Sequence, residues 1–211
     1  MKFIKILIIS ALSFAISLPS PASAHQPVLL LNSDTTAAKG PLLVDGTVSF
    51  VIRASFSKAR EKKGFRAALN SGDQLSVQYL IVDKKPENSL KTTQFPTLVI
   101  TAPSGAKNTI KFTERTKFFE PYGKTNYLYL ARYSAVAESG IYNFLLTSRT
   151  KSAVTIAVGD REIRGEVLPS GALPVAAAIA TPAPTLTATA TPAPEPATTP
   201  TVAPASVARA S

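Results

Sequence analysis

Along most of its middle, this chain repeats apolar and polar positions with a period of two. Thr47-Val48-Ser49-Phe50-Val51-Ile52-Arg53 places Val48, Phe50 and Ile52 on one face, and QLSVQYLIV (74–82) does the same with Leu75, Val77, Tyr79 and Ile81. NYLYLARYS (126–134) sets Tyr127, Tyr129, Ala131 and Tyr133 on one side. Because these tyrosines recur at strand spacing, they are expected to pack in a core, leaving the loop Glu120 to Asn126 exposed. Shorter runs follow the same rule: PTLVITAP (96–103), NTIKFTE (108–114), SGIYNFLLTS (139–148) and AVTIAVG (153–159). Turn residues separate them, at Ser71-Gly72-Asp73, Pro103-Ser104-Gly105, Ser139-Gly140 and Val158-Gly159-Asp160. No segment holds a helical stripe for three turns. Alternation requires one face of each strand to be buried against a second layer, so the pattern predicts an all-β protein built as a single antiparallel β-sandwich, jelly-roll or immunoglobulin-like.

The two ends of the chain differ from this middle. Residues 1–24 read as a signal peptide: Lys2 and Lys5, an apolar run from Ile6 to Ile16, then Pro19 to Ala24 ending in Ala22-Ser23-Ala24. Pro19 and Pro21 interrupt the run before the roughly 20 apolar residues a spanning helix needs, so no transmembrane segment is expected in the mature chain. From residue 172 to 211 the composition is almost entirely Ala, Pro and Thr, with TPAP at 181–184 and again at 191–194. Such a tail lacks the side chains that offset ordering entropy and is expected to be disordered; its threonines among prolines resemble O-glycosylated stalks. That leaves residues 25–171 as one sandwich domain, long enough to form a core without disulfides, the chain having no cysteine.

GFRAALNSGDQLSVQYLI (64–81), PTLVITAPSG (96–105), ESGIYNFLLTS (138–148) and AVTIAVGDRE (153–162) together resemble the bacterial pre-peptidase C-terminal type of domain. The resemblance covers about Gly64 to Glu166 and departs from the common pattern in the basic insertion SKAREKKG at 57–64. It implies a jelly-roll or immunoglobulin-like accessory fold of an exported protein, non-catalytic, with no functional residues to carry over.

The candidate chemistry is sparse. The formal net charge is +10, and the basic excess persists when the signal and tail are set aside. For an exported chain, a basic surface points to anionic envelope polymers or lipid headgroups and not to nucleic acid. The densest charge run supplies Lys58, Arg60, Lys62, Lys63 and Arg66 as candidate polyanion contacts, against the plain alternative of a solvated loop between strands. His25, the one histidine, would be the first residue of a chain cut after Ala24. Its amine and ring nitrogen make a candidate two-nitrogen copper site, although no second imidazole is present to complete a square-planar set.

Catalytic constellations are not assembled. With one histidine and no cysteine, Ser-His-Asp and Cys-His arrangements lack an oriented base. Ser-x-x-Lys occurs at Ser55/Lys58, Ser104/Lys107 and Ser148/Lys151 without its companion motifs, and nothing in the spacing of Glu114, Glu120 and Glu138 pairs two carboxylates. GxxxxGK, GxGxxG and DxDxDG are absent, so no cofactor is implied. Asn32-Ser33-Asp34-Thr35-Thr36 reads equally well as a polar ligand loop and as a self-bonded turn, and Phe118 to Tyr129 as either a stacking platform for a sugar or partner chain or as packed strand. The expected role is therefore a non-catalytic binding or structural accessory module, secreted or cell-wall associated, with an anionic envelope polymer or another surface protein as partner; the alternative is copper handling through His25.

Overall fold

The computed structural model describes residues 25–169, which fall in one unit. The expected signal peptide and the Ala/Pro/Thr-rich tail lie outside the described residues. The strands are β1 (Gln26–Leu29), β2 (Leu42–Leu43), β3 (Phe50–Phe56), β4 (Lys62–Leu69), β5 (Gln74–Val82), β6 (Thr97–Thr101), β7 (Lys107–Thr109), β8 (Thr116–Glu120), β9 (Thr125–Val136), β10 (Gly140–Thr147), β11 (Ser152–Val158) and β12 (Val167–Leu168). Two short 3₁₀ turns, Glu87–Ser89 and Thr92–Gln94, lie between β5 and β6. Among the described residues no helix is long and apolar enough to cross a membrane.

These strands form two six-stranded sheets, ordered β1-β3-β11-β5-β9-β8 and β12-β2-β4-β10-β6-β7. The predicted all-β sandwich is present, with one difference from a purely antiparallel arrangement. β1 pairs with β3 in parallel, and β2 pairs with β4 in parallel. A parallel pair needs a crossover connection, and each crossover here passes through the other sheet: the chain leaves β1, runs through β2 and returns in β3.

Inward-facing residues of both sheets meet in one core. Phe50 and Ile52 of β3, Leu75, Val77, Tyr79 and Ile81 of β5, and Phe144 and Leu146 of β10 are all buried there, as alternation predicts. Phe65 and Phe144, opposite each other in the β4–β10 register, stack with ring centroids 4.4 Å apart. Tyr79 is fully buried, its hydroxyl donating to the Pro96 carbonyl at 2.9 Å; burial pushes its pKa far up.

β4 is the strand the alternation did not single out, because its first residues, Lys62-Lys63-Gly64, belong to the basic run. It forms because Phe65, Ala67 and Leu69 still fall on one face. The segment 30–41 then crosses its outer side, which is possible only because two glycines meet there: a Cβ on Gly64 would lie 2.5 Å from the Ala37 nitrogen, and one on Gly40 1.8 Å from the Gly64 oxygen.

Phe144→Ala should reduce the unfolding free energy by about 3–5 kcal/mol in urea denaturation. Phe119→Ala, at a side chain 55 % exposed, should stay within about 0.5 kcal/mol of the parent.

Candidate functional site

The outer face of the first sheet carries a trough, set by side-chain size along rows of cross-strand neighbours. One row runs Pro27, Val51, Ala157, Gln78; the next runs Leu29, Arg53, Thr155, Leu80, Tyr129. Small residues of β11 sit in the middle, with larger ones toward both edges, so the face is hollowed. The resulting groove has a volume of about 450 Å³, within the roughly 300–1,000 Å³ typical of ligand sites.

Its aromatic side depends on an irregularity in β9. Opposite Tyr79 and Leu80 the register jumps, Tyr79 pairing with Ala131 and Leu80 with Tyr129. Leu130 is the extra residue, and both it and Ala131 point into the core. On the Thr125 side of this bulge Leu128 faces inward, so Tyr127 and Tyr129 line the outer groove. Past it, Ala131 and Tyr133 pack on the core. The expectation that all three tyrosines pack in the core therefore holds for Tyr133, while Tyr127, though buried, and half-buried Tyr129 face the groove; a strict period of two cannot register one inserted residue.

Neighbouring groups fix the groove aromatics. Tyr129 lies 5.3 Å from the Phe118 ring, and the Arg132 guanidinium sits 4.1 Å from the Tyr129 ring centroid. Arg132 is in turn paired with Glu114 at 3.2 Å. Desolvation raises the Tyr129 pKa; Arg132 opposes this and Glu114 adds to it. The turn after β8 is closed by Glu120, whose carboxylate accepts the backbone N–H of Tyr122 and of Gly123, presenting Tyr122, 71 % exposed, at the rim. At the other rim, Arg161 pairs with Asp45 at 3.2 Å and donates to Thr47 Oγ1 at 2.9 Å. That anchors the segment bearing Asp160 and Glu162, both groove-lining. Among the described residues no hydrogen bond or ion pair engages the side chains of Arg53, Gln78, Asp160 or Glu162.

His25 also lines this groove, its Nδ1 bonded to Ser49 Oγ. Among the described residues no group of three or more His, Cys, Asp or Glu side chains converges to hold a metal ion. The basic run divides. Lys58, Arg60 and Lys62 are exposed. Lys63 and Arg66 are only 4 % and 5 % exposed; the Lys63 ammonium donates to the Leu30 carbonyl at 2.9 Å and to Asn32 Oδ1 at 3.0 Å, and Arg66 donates to the Gly40 carbonyl at 3.3 Å. Those two side chains tie the segment 30–41 to β4 and present no charge to an external polymer. In sequence they are indistinguishable from their neighbours, since what covers them comes from more than 20 residues away.

The turn carrying Lys58 and Arg60 is held by Glu61, which accepts from the Ser57 hydroxyl and from its backbone N–H at 2.7 Å. Ser104 does the same for Glu138. In both cases the side-chain hydrogen bond, then the backbone one, holds the carboxyl below its usual range. No protein-family sequence profile matches this chain, and no curated protein is similar to it in sequence.

A carboxyl whose folded pKa is depressed adds stability that is complete above its unfolded pKa of about 4.3 and is lost as pH falls through the folded value. Glu61→Gln with Glu138→Gln should therefore flatten the fall in melting temperature between about pH 5 and pH 3, followed by thermal unfolding across that range.

Proposed function

We propose that this protein is an exported, non-catalytic binding module whose groove on the outer face of the first sheet takes a saccharide segment of a cell-envelope polymer. The observation carrying this reading is the pairing, in one trough of about 450 Å³, of Tyr127, Tyr129 and Phe118 with the unengaged polar groups of Arg53, Gln78, Asp160 and Glu162. A sugar ring offers apolar C–H faces to aromatic rings and hydroxyl edges to such groups. A site that uses aromatic faces and mixed charge suits a neutral or weakly charged chain better than a strong polyanion.

The strand order supports an accessory role of the jelly-roll kind. The chain changes sheet at each connection except β6–β7 and β8–β9, so β3-β11-β5-β9 lies over β4-β10-β6-β7 in the manner of two Greek keys. This arrangement favours the jelly roll over the immunoglobulin order. Export rests on the signal-like residues 1–24, and envelope association on the basic balance of the chain.

Calorimetric titration with purified saccharide fragments of the host envelope should give saturable binding that changes little with salt. Tyr129→Ala should weaken it about tenfold or more, the loss expected for a stacked ring, while Phe119→Ala should leave it unchanged. Equal affinity for the parent, Tyr129→Ala and Arg53→Ala would rule out the groove as the site.

A further inference from the structure

The charges of the sandwich are sorted by end. β3, β5 and β8 finish at the same end at which β4, β6, β9 and β11 begin. Beside the segment 30–41 that joins β1 to β2, the connections there are β3–β4, β5–β6, β8–β9 and β10–β11. The first carries Lys58 and Arg60 and leads into Lys62. The second carries Lys84, Lys85 and Lys91, and the last two carry Lys124, Arg149 and Lys151. All of these side chains are exposed, and neither ion pair among the described residues involves any of them.

The connections are also tied to one another. The Arg60 N–H donates to the Ser148 carbonyl and the Ser148 hydroxyl to the Lys58 carbonyl, at 2.9 and 2.6 Å. Ala153 N–H donates to Glu87 of the second connection at 3.1 Å, and Arg149 to Thr97 Oγ1 at 3.2 Å. The acids at this end each accept a hydrogen bond there: Asp34 from Leu31, Glu61 from Ser57, Glu87 from Ala153, Asp83 from Asn88, and Glu120 from Tyr122 and Gly123. At the opposite end, the connections hold Asp73, Glu138, Asp45, Asp160, Glu162 and Glu166 against Arg161 and Arg164.

We propose that the basic end is a docking surface for an anionic phospholipid bilayer, on which the sandwich stands end-on. The cations are spread over turns from both sheets across the whole end of the molecule, the layout that matches an extended plane of headgroups and not a single polymer strand. Exposed lysines on tied turns meet such a plane without insertion, and the acidic opposite end is repelled from it, which fixes the orientation. This surface adjoins the groove only at the β8–β9 turn, where Tyr122 and Gly123 line the groove beside Lys124, and it does not depend on the saccharide reading.

The test is co-sedimentation of the full chain with vesicles of phosphatidylcholine alone or mixed with phosphatidylglycerol, at low and high salt. Binding is expected only with phosphatidylglycerol, falling about tenfold or more between roughly 0.1 and 0.5 M salt. Lys85→Glu with Lys151→Glu should abolish it. Lys107→Glu with Arg164→Glu, an equal charge change at exposed sites toward the opposite end, should largely preserve it, as should Tyr129→Ala. Equal loss in both double variants would overturn the proposal, because net charge alone would then be at work. So would binding to soluble polyphosphate as tight, per phosphate, as binding to the vesicles. Circular dichroism of each variant separates loss of binding from loss of fold.

Discussion

One inserted residue in β9 decides what the outer face of the first sheet can do. With Leu130 and Ala131 both turned into the core, the strand changes face once along its length, so the same run of tyrosines serves the interior at Tyr133 and the surface at Tyr127 and Tyr129. Without the bulge, those two rings would compete with Leu128 and Leu130 for the interior, and the trough would lose its aromatic side. Bulges bend a strand and raise its local twist, which also suits the hollowing of this sheet over the small side chains of β11.

The alternation of the sequence was enough to locate β3, β5, β6, β10 and β11, and to name the core residues of β3 and β5, since these strands bury one face throughout. It was not enough for the strands whose environment comes from elsewhere. β4 begins with two lysines and a glycine, and its place between β2 and β10 depends on the segment 30–41 covering it. β1, β2 and β12 have four residues or fewer, too few for a period to show. NTIKFTE, read as a strand, pairs only at its start, in β7. The groove was illegible for a similar reason: its lining comes from all six strands of one sheet and from the segments beside them. Only the aromatic cluster from Phe118 to Tyr129 signalled it, and the choice between platform and core turned on a single inserted residue.

Charge is distributed with the same dependence on topology. A run of five cations in sequence separates into three that face solvent and two that pin the chain internally. The exposed three become part of a larger basic end because the β5–β6, β8–β9 and β10–β11 connections return to that end. A groove on a face and a charged surface at an end thus coexist, meeting at the β8–β9 turn.

Labelling the tyrosines with 3-fluorotyrosine and following their ¹⁹F resonances during saccharide titration tests the central claim most directly, because the six tyrosines of the chain divide cleanly between the two environments. A groove-bound saccharide should shift Tyr122, Tyr127 and Tyr129 and leave Tyr79, Tyr133 and Tyr142 in place. Shifts at the core set, or none at the groove set under saturating saccharide, would contradict both the role of the bulge and the site it builds.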